Sequence, residues 1–118
     1  MKRGEIWTVA GGGDYTGKPR PVVIIQDDRY DATESVTVCA FTTDPTHAPL
    51  FRISIEPTRR NGLAETSSIM ADKITTIRRS RLGERIGRLE RREMTELNRA
   101  VLAFLGLVGG SPKMAGSD

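Results

Sequence analysis

Arg20, the pair Thr42 and Thr43, and Asp72 are the side chains in this sequence whose types could together act on a phosphodiester. A guanidinium stays charged, and its forked donors match phosphate oxygens. Arg20 could therefore grip a phosphate and offset the negative charge that builds up in a pentacoordinate transition state. Threonine hydroxyls at the end of a strand can donate to a non-bridging oxygen. A carboxylate nearby, Asp72, could take the proton from a ribose 2′-hydroxyl. Such a set would suffice for RNA cleavage by internal attack, with no metal required. Plainer readings stand beside it. Thr42 and Thr43 are ordinary β-formers that often bond a turn, and Asp72 beside Lys73 fits an exposed ion pair worth under about 1 kcal/mol. The residues sit on separate segments, so only the fold can bring them together.

Other reactive side chains are few. Cys39 is the only cysteine, which excludes an intramolecular disulfide and a thiolate-rich zinc site within one chain. It lies in the apolar run 36–41, where a small buried thiol is the ordinary explanation. His47, the only histidine, would titrate near neutrality, and its loop follows Thr42 and Thr43; it reads either as a neighbour of the scissile site or as a solvated loop residue. The glycine-rich stretch 11–17 lacks the Gly-Lys-Ser/Thr ending of a phosphate-binding loop and joins two strands, so a mobile lid or a plain connection is expected. The formal charge is +3, yet Arg78, Arg79, Arg81, Arg85, Arg88, Arg91 and Arg92 crowd the second half. That clustering suits an anionic partner, nucleic acid before membrane, or a solvated salt-bridged surface. There is no apolar signal-like run after Met1, and the longest apolar stretch, 100–108, is too short to span a bilayer, so a cytoplasmic protein is expected.

These side chains need elements to hold them. With 118 residues the chain is expected to form one domain over 1–108, followed by a disordered tail over 109–118. β-branched and alternating segments predict strands over 4–9, 20–26, 36–42, 51–55, 67–72 and 82–89, with a turn or short helical turn at 27–31. Pro19 and Pro21 lack the backbone donor and fit only the start or edge of a strand, which sets Arg20 at the rim of the sheet. Asn61-Gly62 predicts a tight reversal, and 74–81 reads as a turn-rich connection. Met94, Leu97, Val101, Leu102 and Leu105 share one stripe of a helix over 91–105, stopped by Gly106. The expected fold is mainly β with a C-terminal helix (α+β): a small, strongly bent sheet or barrel with the helix packed on it.

The order of the blocks adds to this. Residues 1–7 (Met-Lys-Arg-Gly-Glu-Ile-Trp), 18–24 (Lys-Pro-Arg-Pro-Val-Val-Ile), 41–43 (Phe-Thr-Thr), 67–74 ending Asp-Lys-Ile, and 81–89 resemble the MazF/PemK family of bacterial toxins, in order and over nearly the whole domain. The resemblance implies an SH3-like small barrel of the MazF/CcdB type and a homodimer. It also implies a metal-independent, sequence-specific endoribonuclease (mRNA interferase) that cuts single-stranded RNA or mRNA, leaving a 2′,3′-cyclic phosphate and a 5′-hydroxyl. A cognate antitoxin protein would hold it in check, and no cofactor is implied. Carried over by motif, Arg20, Thr42 and Asp72 are the expected catalytic residues, and Lys18, Thr43, His47 and Phe51 the expected RNA contacts. A Phe51 ring could stack on an unpaired base or simply belong to the core. The resemblance departs at Met70, where some relatives carry an arginine. Two other readings stay open: a CcdB-like toxin of the same fold that binds and poisons DNA gyrase, and a bare RNA-binding barrel.

Overall fold

Runs of β-branched residues build the sheet in the computed structural model, which describes residues 1–10, 19–45 and 51–107. The strands are β1 (Glu5–Val9), β2 (Arg20–Ile24), β3 (Ser35–Thr42), β4 (Arg52–Ile55), β5 (Ser67–Arg78) and β6 (Leu82–Arg88). They form one antiparallel sheet in the order β4-β5-β3-β2-β1-β6. A single turn of 3-10 helix covers Asp28–Tyr30, where the Asp27 carboxylate accepts from the Arg29 amide. The expected mainly β sheet with one C-terminal helix is what forms. Lys18, His47, the glycine-rich stretch 11–17 and the tail 109–118 lie outside the described residues.

Period-two alternation sends β2 and β3 side chains to opposite faces, and each face has its own apolar cluster. Val23, Cys39, Phe41, Ile53, Ile69 and Ala71 pack on the side covered by the helix α1 (Arg91–Phe104), around the fully buried Leu97. Val22, Ile24, Val36 and Val38 form the cluster on the other face, flanked by Trp7, Val9, Ile77 and Leu82. Pro21 stands one residue before the β2–β3 ladder begins at Val22 and Ala40, a position that tolerates its missing donor.

Two expectations are corrected. Residues 74–81 are not a turn-rich connection: β5 runs on to Arg78, with Val36, Thr37 and Val38 paired to Ile77, Thr76 and Thr75, and only Arg79–Arg81 turns. β-branched residues that gain cross-strand partners hold the extended form where isolated turn signals had read as a loop. The strand bends midway, because Phe41 pairs with Ile69 while Cys39 pairs with Ile74. The second correction concerns the helix stripe. Met94, Leu97, Ala100 and Val101 pack on the core, but Leu102 and Leu105 are exposed. The helix starts on a capping box, Glu90 against the Glu93 amide and Glu93 against the Glu90 amide. It stops as expected at Gly106, whose φ of +72° allows the Leu107 amide to return to the Leu102 carbonyl.

Candidate functional site

Register brings the first two site residues together. β2 and β3 pair Ile24 with Val38, Val23 with Cys39 and Val22 with Ala40. The ladder ends there; Arg20 lies two residues before Val22 and Thr42 two residues after Ala40, so alternation assigns both to one face at the same end of the two strands. Thr42 in turn opposes Ser68 on β5, and Ser68 opposes Ser54 on β4. Directly opposed side chains share a face, so Thr42, Ser68 and Ser54 make a polar row across β3, β5 and β4, with Arg20 on the same face at the start of β2. By alternation, this row lies on the face of Val22, Ile24 and Val38, away from α1. Arg20 is exposed at the start of β2. Thr42 is half-buried, and its Oγ1 accepts from the Asp44 amide at 3.1 Å, which leaves its own hydroxyl hydrogen to be donated. Thr43 follows β3 and is exposed.

Next to this row stands a charged pair. β4 and β5 pair Arg52 with Met70 and Ser54 with Ser68, so Arg52 shares the face of the row. Its Nε donates to Asp72 Oδ1 at 3.2 Å, with the two side chains 16% and 17% exposed. Asp72 is therefore ion-paired with Arg52 rather than with Lys73, its neighbour in sequence. Asp72 is the one side-chain partner of Arg52 among the described residues, and no buried side-chain nitrogen or oxygen among them lacks a partner. The guanidinium is thus held by Asp72 through its Nε, on the face assigned to Arg20 and Thr42.

Sequence reasoning passed over Arg52. It falls in the polar phase of an alternating strand, where an arginine reads as solvated, and only the β4–β5 register reveals a carboxylate two residues beyond its partner. The signal available was its position: an arginine placed so that it could sit across from Met70, where the resemblance lacks one.

Phe51 goes elsewhere. It packs edge-to-face on Phe104 of α1 with ring centroids 5.9 Å apart, on the helix-covered side, so the structure does not bring it to the polar row. Its carbonyl accepts from the Ala71 amide at 2.9 Å and ties the lead into β4 to the bend of β5. Cys39 is fully buried on that same side, and burial, with the negative charge of Asp72 adding to it, pushes its thiol up to about 11. Among the described residues no three His, Cys, Asp or Glu side chains gather as metal ligands would, and no helix is long and apolar enough to cross a membrane.

Comparison with known proteins identifies the family and the fold. Residues 2–105 match the family model described as PemK-like, MazF-like toxin of type II toxin-antitoxin system. A probable endoribonuclease MazF of Mycolicibacterium smegmatis is 60% identical over 109 residues, covering 92% of this chain and 100% of that protein. An endoribonuclease MazF9 of Mycobacterium tuberculosis is 30% identical over 116 residues, covering 91% and 98%. Among solved structures, a mycobacterial endoribonuclease in complex with its cognate antitoxin superposes with a TM-score of 0.76 at 24% identity, covering 92% of this chain and 97% of that one. A MazE-MazF structure from Deinococcus radiodurans superposes at 0.72 with 18% identity, covering 92% and 97%.

Proposed function

The chain belongs to the PemK-like, MazF-like family of toxins of type II toxin–antitoxin systems, and from that premise we propose that it is the endoribonuclease of such a pair, cutting single-stranded RNA on the face that carries Arg20 and Thr42. The observation that supports the reading is strand alternation from the Val22–Ala40 pair, by which Arg20 before it and Thr42 after it belong to the same face of neighbouring strands. The ribose 2′-oxygen gives up its proton to water and attacks the adjacent phosphorus, the bond from phosphorus to the 5′-oxygen breaks, and the leaving 5′-oxygen takes a proton from water, so that a 2′,3′-cyclic phosphate and a 5′-hydroxyl remain. Arg20 balances the charge that gathers on the non-bridging oxygens, and Thr42 donates its hydroxyl hydrogen to one of them. No step needs a metal.

Asp72 was expected to take the 2′-proton. Its ion pair suggests a different task, holding the Arg52 guanidinium on the face that meets the RNA. Thr43 follows the row and extends its contacts to the substrate, and the RNA contacts expected of Lys18 and His47 belong to the same reading although both residues lie outside those described. The relatives named as endoribonucleases support this activity and lend none to gyrase poisoning. The cognate antitoxin in the titles of structural neighbours supports control by a partner protein, and we assign this chain a homodimer in the cytoplasm, where its RNA substrate is found.

Mixed-sequence RNA incubated with the purified chain in EDTA tests the proposal. Discrete cuts with cyclic-phosphate ends are expected, and RNA that stays intact overturns it.

A further inference from the structure

Four arginines converge at the end of the sheet remote from Arg20. Arg3 precedes β1, Arg60 lies on the loop between β4 and β5, Arg88 ends β6 and Arg91 begins α1; together they line a cavity of about 300 Å³ floored by Leu89 and Met94. Backbone bonds hold the segments in place. The Arg88 amide donates to the Arg60 carbonyl at 3.0 Å and the Leu89 amide to the Gly4 carbonyl at 2.9 Å. Arg3 is fixed by its own side chain, Nε to the Ile25 carbonyl at 2.7 Å and Nη2 to Asn98 Oδ1 at 2.6 Å.

The positive charge is not balanced locally. Among the described residues, none of the ion pairs involves Arg60, Arg88 or Arg91. Of the acids nearest in sequence, Glu90 and Glu93 bond each other's backbone in the capping box and Glu5 is engaged by Arg85 and the Trp7 indole, while Asp28 accepts from the Arg3 amide. Like charges held together at a cost in repulsion imply an anion that relieves it.

A track of arginines links the cavity to the polar row. Val9 pairs with Arg20 on one side and with Leu82 on the other. From there edge strand β6 runs back along β1: Arg81 donates to the Ala10 carbonyl, Arg85 pairs with Trp7, and Arg88 pairs with Glu5 beside the cavity. Four residues of β1 separate the two ends, about 13 Å at the usual rise of a strand. Arg85 shares its charge with Glu5 at 3.6 Å, so the track is strongest at its ends.

We propose that this four-arginine cavity binds the phosphate backbone of single-stranded RNA at a distance from the scissile bond, with the β6 edge as the path between the two sites. Phosphate fits better than an acidic peptide. A peptide partner usually adds apolar anchors, and the large exposed apolar side chains Leu102, Phe104, Leu105 and Leu107 lie at or beyond the far end of α1, away from Arg91, while Tyr30 carries the Arg29 guanidinium over its ring. The inference rests on the ribonuclease reading for the identity of the anion.

The test measures binding of 2′-O-methyl RNA, which cannot undergo internal attack, to the native chain and to Arg60→Ala/Arg91→Ala. Mixed-sequence strands of about 2 nucleotides, too short to span about 13 Å, and of about 16, long enough to do so, separate one site from both. The long strand should bind the native chain more tightly, and the double variant should lose most of that advantage. Its slope of log affinity against log salt should fall by about 1.4, near 0.7 for each phosphate contact removed. Arg60→Lys/Arg91→Lys keeps the charges and should restore the slope, which separates electrostatics from a damaged fold. An unchanged slope for the alanine variant overturns the proposal, as does loss of antitoxin binding with RNA binding intact. Cleavage is scored separately, so a chain that binds long RNA in this way and cuts none sinks the ribonuclease reading alone.

Discussion

Arg52 stands directly across from Met70 and reaches along β5 to Asp72, Nε to Oδ1 at 3.2 Å. Replacing Asp72 by asparagine keeps the shape and removes the counter-charge, leaving a guanidinium that is only 16% exposed without its anion. The expected loss is about 1–3 kcal/mol of stability, the range for a hydrogen bond to a charged group. Arg52→Met in the Asp72→Asn background should recover part of it. Urea unfolding of the four chains in the cycle checks this, and strictly additive losses would remove the coupling.

Arg20→Ala should lower RNA cleavage by about 100-fold or more, the scale for removing one donor to a transition-state oxyanion, with stability changed by no more than about 1 kcal/mol, the scale of a surface interaction, because Arg20 is exposed. Thr42→Val keeps the volume and should cost a similar factor. Single-turnover rates at saturating RNA provide the measurement.

Glycines divide by what surrounds them. A Cβ at Gly87 would overlap the backbone of Arg60 and Asn61, which lies directly on β6 there. Gly106 has φ +72° but open space around it. Gly87→Ala should therefore cost about 3 kcal/mol from overpacking. Gly106→Ala should cost only about 1 kcal/mol, the strain of a left-handed residue. Denaturation midpoints that rank the two the other way would contradict the packing described.

Cys39 should resist alkylation while the chain is folded. Its thiol is pushed up to about 11 by burial and by Asp72, so at pH 8 it is neutral and covered. An unfolded cysteine ionises near about 8.5. Stability linked to this group is complete below that value and is lost as pH rises through the folded value. Iodoacetamide labelling that follows unfolding, and not the native state, is the expected result.

Glu5 gives the opposite sign. Burial works to raise its carboxyl, but hydrogen bonds from the Trp7 indole and the Lys2 backbone amide, together with Arg85, bring it below the usual glutamate value. The unfolded state then binds the proton first as pH falls, so stability is complete above about 4.3 and is lost as pH drops through the lower folded value. Glu5→Gln should flatten the acid limb of thermal stability, read as Tm across that window.

Much of this molecule was legible in its residues. Val22 to Ile24 and Val36 to Phe41 carry β-branched, alternating patterns that allow little but paired strands, and the spacing from Met94 through Val101 with Gly106 at the end dictates one amphipathic helix. Arg20 at a proline-flanked strand start, Thr42 at a strand end and the family itself were readable for the same reason: each depends on neighbours close in sequence or on the order of short blocks. The tertiary structure alone decided which side chains meet across strands. Whether Asp72 faces Lys73 or Arg52, whether Phe51 joins the polar row or Phe104, and where Arg3, Arg60, Arg88 and Arg91 converge all follow from register and from the bend in β5. Shifting a ladder by one residue exchanges its faces, and a local periodicity carries no record of that choice.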